Sequence, residues 1–88
     1  MQNLVLSSLS NETRLKLLLC LSEEEKNVTQ LIKRCNLSQS AISQHLEKLR
    51  ASGLVTTKRQ GKEIIYSLKH KKTTEICRKL LDFIKVAS

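Results

Sequence analysis

Proline and tryptophan are absent from this 88-residue chain, which has only two glycines, one tyrosine and one phenylalanine. Without proline or any low-complexity segment, the sequence contains no linker, so we predict one domain over residues 1–88. With so few aromatic rings, stacking on unpaired bases is disfavoured as a binding mode. No apolar run approaches the roughly 18 residues that a membrane-spanning helix requires.

Cysteine motifs are also missing. Cys20, Cys35 and Cys77 lie far apart and form no C-x-x-C pair, which excludes zinc-ribbon and thioredoxin-type sites. The N-terminus lacks the basic segment and cleavage-like end of a signal peptide, so we predict a cytoplasmic protein with reduced cysteines. His45 and His70 are isolated, and no glycine-rich phosphate loop or oriented nucleophile is present. We therefore predict neither an enzyme nor a cofactor.

Positive charge is plentiful and unevenly placed. The formal net charge is +8, of which residues 1–43 contribute +1 and residues 44–88 contribute +7. This asymmetry indicates an anionic partner for the C-terminal half, and the scarcity of aromatic rings favours double-stranded DNA. Because a chain of this size buries a modest core, a second copy is a natural supplement.

The most informative stretch spans residues 37–55 and reads LSQSAISQHLEKLRASGLV. Ser38 predicts an N-cap, Gly53 predicts a left-handed C-terminal end, and an apolar stripe predicts one buried face: Ile42, Leu46 and Leu49. The opposite face carries short uncharged side chains: Gln39, Ser40, Ser43 and Gln44. Such groups both donate and accept hydrogen bonds, which suits base edges in a major groove. A solvated surface helix explains this stretch alone equally well.

Shorter helical patterns precede it. Residues 2–8 predict a short helix with Leu4, Val5 and Leu9 pointing inward. From Asn11, a nearly all-apolar helix follows in which only Arg14 and Lys16 are expected to be exposed. Residues 23–26 read as a solvated turn. Asn27 and Gln30 then form a capping box for a helix that ends near Arg34, and a tight turn at 35–37 completes a helix-turn-helix over residues 27–52.

The pattern then changes to β-branched residues. Residues 55–58 and 64–66 predict two strands joined at Gln60 and Gly61, with three cations around the tip: Lys58, Arg59 and Lys62. We interpret residues 54–68 as a wing that lays charge along a phosphate path, although such charges also protect an edge strand. A last helix, from about Lys71 to Val86, carries more apolar surface than one small core uses, which predicts a dimer face.

This order of elements resembles the ArsR/SmtB family of bacterial dimeric winged-helix repressors. The likeness covers residues 9–68 and lies in LSNETRLKLLLCL, LSQSAISQHLEKLRASGLV and KRQGKEIIYSL. It implies a mainly α (α+β) winged helix-turn-helix with five helices and a two-stranded hairpin, paired as a homodimer through residues 1–10 and 69–88. It also implies binding to an imperfect palindrome in a promoter. The groove-facing positions would be Gln39, Ser40, Ser43 and Gln44, while His45 either joins them or points inward.

The chain departs from the sensing sites of that family. One metal site uses cysteines flanking a valine, but Asn27 and Thr29 flank Val28 here. The other uses Asp, His, His and Glu on the last helix. The corresponding positions here are His70, Lys72, Phe83 and Val86. We therefore predict no metal site.

A dithiol subgroup of the family carries cysteines at positions that correspond here to Leu19 and about Lys85. Cys20 is one residue later than the first, which turns its thiol by about 100° on a helix. All three cysteines are interpreted first as small core residues. A shifted Cys20–Cys77 pair, within one chain or across a dimer, is the alternative, and these two are the candidate redox thiols.

Two functions follow from these residues. The first is a dimeric repressor that binds double-stranded DNA; the sequence does not indicate whether it has an inducer, and thiol-based sensing of oxidants or reactive sulfur is left open. The second is a winged-helix protein–protein module, an antirepressor or adaptor that binds no DNA.

Overall fold

Five helices and a three-stranded antiparallel sheet form the fold in the computed structural model, which describes residues 3–35 and 39–87. The helices are α1 Leu4–Leu9, α2 Glu12–Glu23, α3 Val28–Cys35, α4 Gln39–Ala51 and α5 Lys72–Ala87. The strands are β1 Lys26–Asn27, β2 Val55–Gln60 and β3 Glu63–Leu68. The predicted winged helix-turn-helix is confirmed, with one additional strand. None of the helices in these ranges has the length and apolar character needed to cross a bilayer.

Asparagine side chains begin the first three helices. Asn3 accepts hydrogen bonds from the backbone N–H groups of Val5 and Leu6, and Asn11 accepts one from Arg14. Asn27 and Gln30 exchange side-chain to backbone bonds of 2.9 and 2.8 Å, which confirms the predicted capping box. The N-cap predicted for Ser38 and the turn through residues 36–37 lie outside the described residues.

Gly53 ends α4 in the left-handed conformation that was predicted, with φ of +79°. The N–H of Gly53 donates to the carbonyl oxygen of Arg50, and that of Leu54 donates to Leu49, both at 3.1 Å. These two bonds form a Schellman motif, and the buried Leu54 side chain adds its usual apolar contact. The motif turns the chain directly from α4 into β2.

The sheet has the order β1-β3-β2. β2 and β3 pair from Val55↔Leu68 to Gln60↔Glu63, so the loop between them consists of Gly61 and Lys62. This is one residue later than the predicted turn at Gln60 and Gly61. Gly61 has φ of +65°, the positive value that two-residue hairpin loops require at their first position.

The solvated turn predicted at residues 23–26 is wrong at its last residue. Lys26 belongs to β1 and pairs with Tyr66, and its side chain is only 2% exposed. Its ammonium group donates to the carbonyl oxygens of Cys20 at 2.6 Å and Glu24 at 3.1 Å. The charge is therefore buried against the free carbonyl groups at the end of α2.

The core is centred on α2, as its apolar pattern predicted. Its buried residues come from four helices, the sheet and the turn between α4 and β2: Leu15, Leu17, Leu18, Leu21, Leu31, Ile42, Leu46, Leu49, Leu54, Val55 and Cys77. Leu9 of α1 packs against this core. The inward orientation predicted for Leu4 and Val5 is wrong, because their side chains are 49% and 39% exposed.

Candidate nucleic-acid interface

Helix α4 has one buried face and one polar face, as predicted. The apolar stripe is at most 1% exposed: Ile42, Leu46 and Leu49. The four predicted reading residues are all exposed and uncharged: Gln39, Ser40, Ser43 and Gln44. These side chains can match the mixed donors and acceptors on base edges.

The exposed charges nearer the C-terminus of α4 neutralise each other. Arg50 donates to both carboxylate oxygens of Glu47, at 2.6 and 3.1 Å. The hydrogen bond from Arg50 lowers the pKa of the Glu47 carboxyl group, and the Arg50 charge lowers it further. This half of the helix therefore carries an internal ion pair, while the N-terminal half stays uncharged.

His45 is half-buried beside the reading residues and contacts Arg14 of α2. The Arg14 Nη1 and His45 Nδ1 atoms are 3.3 Å apart. Burial lowers the pKa of the imidazole, and the Arg14 charge lowers it further. The neutral ring is therefore the favoured form in the folded chain.

Arg14 was predicted to be exposed, and that prediction is wrong. The residue is only 9% exposed, and burial lowers the pKa of its guanidinium. Its Nε donates to the carbonyl oxygen of Ser8 at 2.9 Å, and its Nη2 donates to that of Ser7 at 3.0 Å. These carbonyls belong to the last turn of α1, so the side chain fills the junction between α1, α2 and α4.

The wing carries the predicted cations in exposed positions: Lys58, Arg59 and Lys62. They are not equivalent, because the Lys58 ammonium lies 3.1 Å from a carboxylate oxygen of Glu25. Across the described ranges, Arg59 and Lys62 form no ion pair. The wing therefore offers two unneutralised cations at its tip and a third that is already paired.

The structure pairs the cysteines differently from the Cys20–Cys77 hypothesis. Cys20 of α2 and Cys35 of α3 form a disulfide, with their Cα atoms 6.8 Å apart. The expectation of three reduced cysteines is corrected accordingly. Cys77 is the free thiol and is 0% exposed, as the core interpretation predicted, and burial raises its pKa to about 11. Cys20 therefore faces α3, although α5 also packs against α2.

Comparison with known proteins identifies the family. The profile of the family described as bacterial regulatory protein, arsR family, matches residues 11–57. The transcriptional activator HlyU of Vibrio cholerae is 44% identical over 64 residues, which cover 73% of this chain and 59% of that protein. The nodulation protein NolR of Rhizobium meliloti is 50% identical over 62 residues, which cover 70% of this chain and 51% of that protein.

A solved structure shows the same fold. The transcriptional repressor BigR from Xylella fastidiosa matches with a TM-score of 0.79 at 37% identity, over 92% of this chain and 82% of that chain. This chain thus spans little more than half the length of the two curated relatives, while it matches most of a solved homologue. Since the family profile covers more than half of its residues, the chain belongs to the arsR family of bacterial regulatory proteins.

Proposed function

We propose that this chain is a transcriptional regulator that binds double-stranded DNA as a homodimer, at an imperfect palindrome in a promoter. One observation carries the proposal: the exposed, uncharged N-terminal half of α4 lies on the same domain as two unneutralised wing cations. The family consists of transcriptional regulators and not of enzymes. No feature of the described residues favours the alternative of a protein–protein module.

The residues divide into two roles. Gln39, Ser40, Ser43 and Gln44 form the reading face, which contacts base edges in the major groove. Arg59 and Lys62 contact phosphate oxygens beside the groove, with Lys58 joining them if it leaves Glu25. Contacts to phosphate set affinity and position, whereas contacts to base edges set sequence preference.

The homodimer is proposed from the apolar residues that one copy leaves exposed on its terminal helices. They are Leu4, Val5 and Leu6 on α1, and Ile76, Phe83 and Val86 on α5. Their exposed fractions reach 66% for Leu6, 68% for Phe83 and 84% for Val86. The proposed dimerisation segments are thus residues 1–10 and 69–88. The helix-turn-helix at residues 27–52, called the reading unit below, and the wing at residues 54–68 are left to contact DNA. Analytical ultracentrifugation tests this, since a monomer at DNA-binding concentrations contradicts it.

The direction of regulation differs among relatives, because HlyU is named an activator and BigR a repressor. We propose repression by promoter occlusion for this chain. A reporter gene placed behind the recovered DNA site distinguishes repression from activation. Loss of the chain should raise expression if the chain is a repressor and lower it if the chain is an activator.

DNA binding can be tested by letting the full-length chain select duplexes from a random-sequence pool. The recovered duplexes also define the sequence that the chain prefers. Ser40→Ala combined with Gln44→Ala should leave a folded dimer that loses its preference for the selected duplex over a scrambled one. A bidentate contact from Gln44 to a base would by itself contribute about 1–3 kcal/mol of discrimination.

A matched control removes another exposed pair at the same spacing. Glu12→Ala with Lys16→Ala deletes an i,i+4 ion pair whose side chains are 57% and 61% exposed, without changing the net charge. The control should bind the selected duplex as the wild type does. An unchanged preference in the Ser40/Gln44 variant would show that these residues do not read the site.

A further inference from the structure

The contact between Arg14 and His45 fixes which atom of the imidazole carries the proton. A guanidinium has only N–H donors, so the His45 Nδ1 atom, 3.3 Å from Arg14 Nη1, must accept. The accepting nitrogen of a neutral imidazole has no hydrogen, and the proton therefore resides on Nε2. Two carbonyl oxygens hold the guanidinium in place, those of Ser7 and Ser8.

The Nε2–H group is left available for a ligand. Among the described residues, no hydrogen-bond partner for Nε2 of His45 is found, and no buried side-chain nitrogen or oxygen is left without a partner. The Nε2 atom is therefore accessible to solvent. It belongs to the residue that follows Gln44 on α4, at the border of the reading face.

A second bond ties the same part of α4 to α1. The buried Ser8 hydroxyl donates to the carbonyl oxygen of Lys48 at 3.4 Å. His45 and Lys48 are three residues apart and therefore lie on the same side of the helix. Arg14 of α2 thus contacts the ring of His45, and Ser8 of α1 binds the backbone of α4.

We propose that Arg14 is a positioning residue for DNA recognition: it holds the His45 ring so that Nε2–H is a fixed donor to a base acceptor in the major groove. The acceptors of this type are guanine N7 and O6, adenine N7 and thymine O4. This role rests on the proposed function. A freely rotating imidazole would present either a donor or an acceptor, whereas the Arg14 contact commits it to donation.

The test uses the duplex selected by the wild-type chain, with Kd measured by fluorescence anisotropy for that duplex and for a scrambled one. His45→Asn, whose amide does not reach the Nε2 position, should weaken binding to the selected duplex about tenfold, the worth of one hydrogen bond. His45→Gln extends an amide N–H toward the Nε2 position and should retain most of the affinity. Arg14→Met should resemble His45→Asn. Binding of all variants to the scrambled duplex should stay unchanged.

Imidazole ¹⁵N chemical shifts supply a readout that a merely structural role does not move. At pH 7.5 the wild type should show a protonated Nε2 and an unprotonated Nδ1, and Arg14→Met should show a mixture of tautomers. The matched control is Lys16→Met, which removes an exposed cation from the same helix and should change neither the shifts nor the affinity.

The outcomes separate the two proposals. If the wild type selects no duplex, the proposed function fails. If it selects one but His45→Asn binds that duplex as tightly as His45→Gln, the role of His45 is overturned while the function stands. Equal losses on the selected and scrambled duplexes also overturn base reading. Should Arg14→Met not fold, the wild-type tautomer and the two His45 variants decide.

Discussion

Arg14 and Lys26 are buried cations of the described chain, and both bind backbone carbonyl oxygens. Arg14 donates to the last turn of α1, and Lys26 donates to carbonyl groups at the end of α2. Carbonyls at the C-terminal end of a helix lack partners within it and carry a partial negative charge. The position of each cation therefore follows from where the preceding helix ends.

Cys77 gives a prediction about reactivity. Burial raises the pKa of its thiol from 9.0 to about 11, and only the thiolate attacks alkylating reagents. This higher pKa lowers the thiolate fraction at pH 8 by about 100-fold. We expect iodoacetamide to modify Cys77 at least that much more slowly in the native than in the unfolded chain. The native rate should rise about tenfold per pH unit until the pH reaches about 11.

The same experiment counts the other thiols by mass spectrometry. Without reductant, the unfolded chain should take up one label, because Cys20 and Cys35 are joined. With reductant it should take up three, one for each cysteine. Three labels without reductant would contradict the disulfide, and fast labelling of the native chain would contradict the burial of Cys77.

For single residues, the sequence predicts the burial of apolar side chains well and the burial of polar side chains poorly. The stripe of Ile42, Leu46 and Leu49 repeats along one helix, so its burial is a local property. Arg14 and Lys26 look like ordinary exposed cations, because their carbonyl partners approach only when the chain folds back. The partner of Cys20 depends likewise on how α3 packs against α2.

Among the elements, the orientation of α4 relative to the wing depends on how the helix ends at Gly53. The Schellman motif at Gly53 fixes the angle between α4 and the wing. A Cβ atom added at Gly53 would meet no atom within 4 Å, so any cost of substitution arises from the backbone alone.

Gly53→Ala should lower the free energy of unfolding by about 1–2 kcal/mol, the cost of a left-handed conformation for a residue with a Cβ atom. Gly53→Asn should lower it less, because asparagine tolerates this conformation. Urea denaturation measures both. A loss from Asn as large as that from Ala would indicate that space, and not the backbone conformation, limits the position.

Helix ends were predictable and the short strand was not. Asn27 with Gln30 and the glycine at position 53 act on residues within one turn, so their pattern is visible in the sequence. β1 contains two residues and exists only because β3 lies beside it. No local preference of Lys26 or Asn27 indicates a strand.

At the scale of the whole molecule, charge is concentrated in the half that carries α4 and the wing. Residues 44–88 hold +7 of the net +8. Part of this charge is neutralised by the other half of the chain, because Lys58 is paired with Glu25. Affinity for DNA should therefore depend on the cations without partners rather than on the total.

Arg59→Ala with Lys62→Ala should reduce the salt dependence of DNA binding. Each phosphate contact contributes about 0.9 to the slope of log K against log salt concentration, so the pair should contribute about 1.8 for each protomer on DNA. Titrations between 50 and 200 mM salt measure this slope. Lys58→Ala is the control and should change the slope less, since Lys58 is paired with Glu25. Equal effects from Lys58 and Arg59 would contradict the distinction between paired and unpaired cations.

The overall order of elements and the exposed polar face of α4 could be predicted from the sequence, because both depend on residue types at regular spacing. The junction of α1, α2 and α4 could not, since it joins residues from positions 7 to 48. The apolar pattern of α1 predicts an inward orientation for Leu4 and Val5, which are exposed, because the pattern of a short helix does not indicate which neighbour covers it.

The two-residue strand β1 connects the wing directly to the helix-turn-helix, so the two should move as one rigid unit. Lys26 and Asn27 bond to β3, and Asn27 is also the cap of α3, so the wing is joined directly to the beginning of the reading unit. In the proposed complex with DNA, the protein would then set the distance between the bases contacted by α4 and the phosphates contacted by the wing. Inserting a single base pair between them moves one contact by about 3.4 Å, farther than a hydrogen bond can stretch. The spacing within each half-site is therefore expected to be as invariant as its bases.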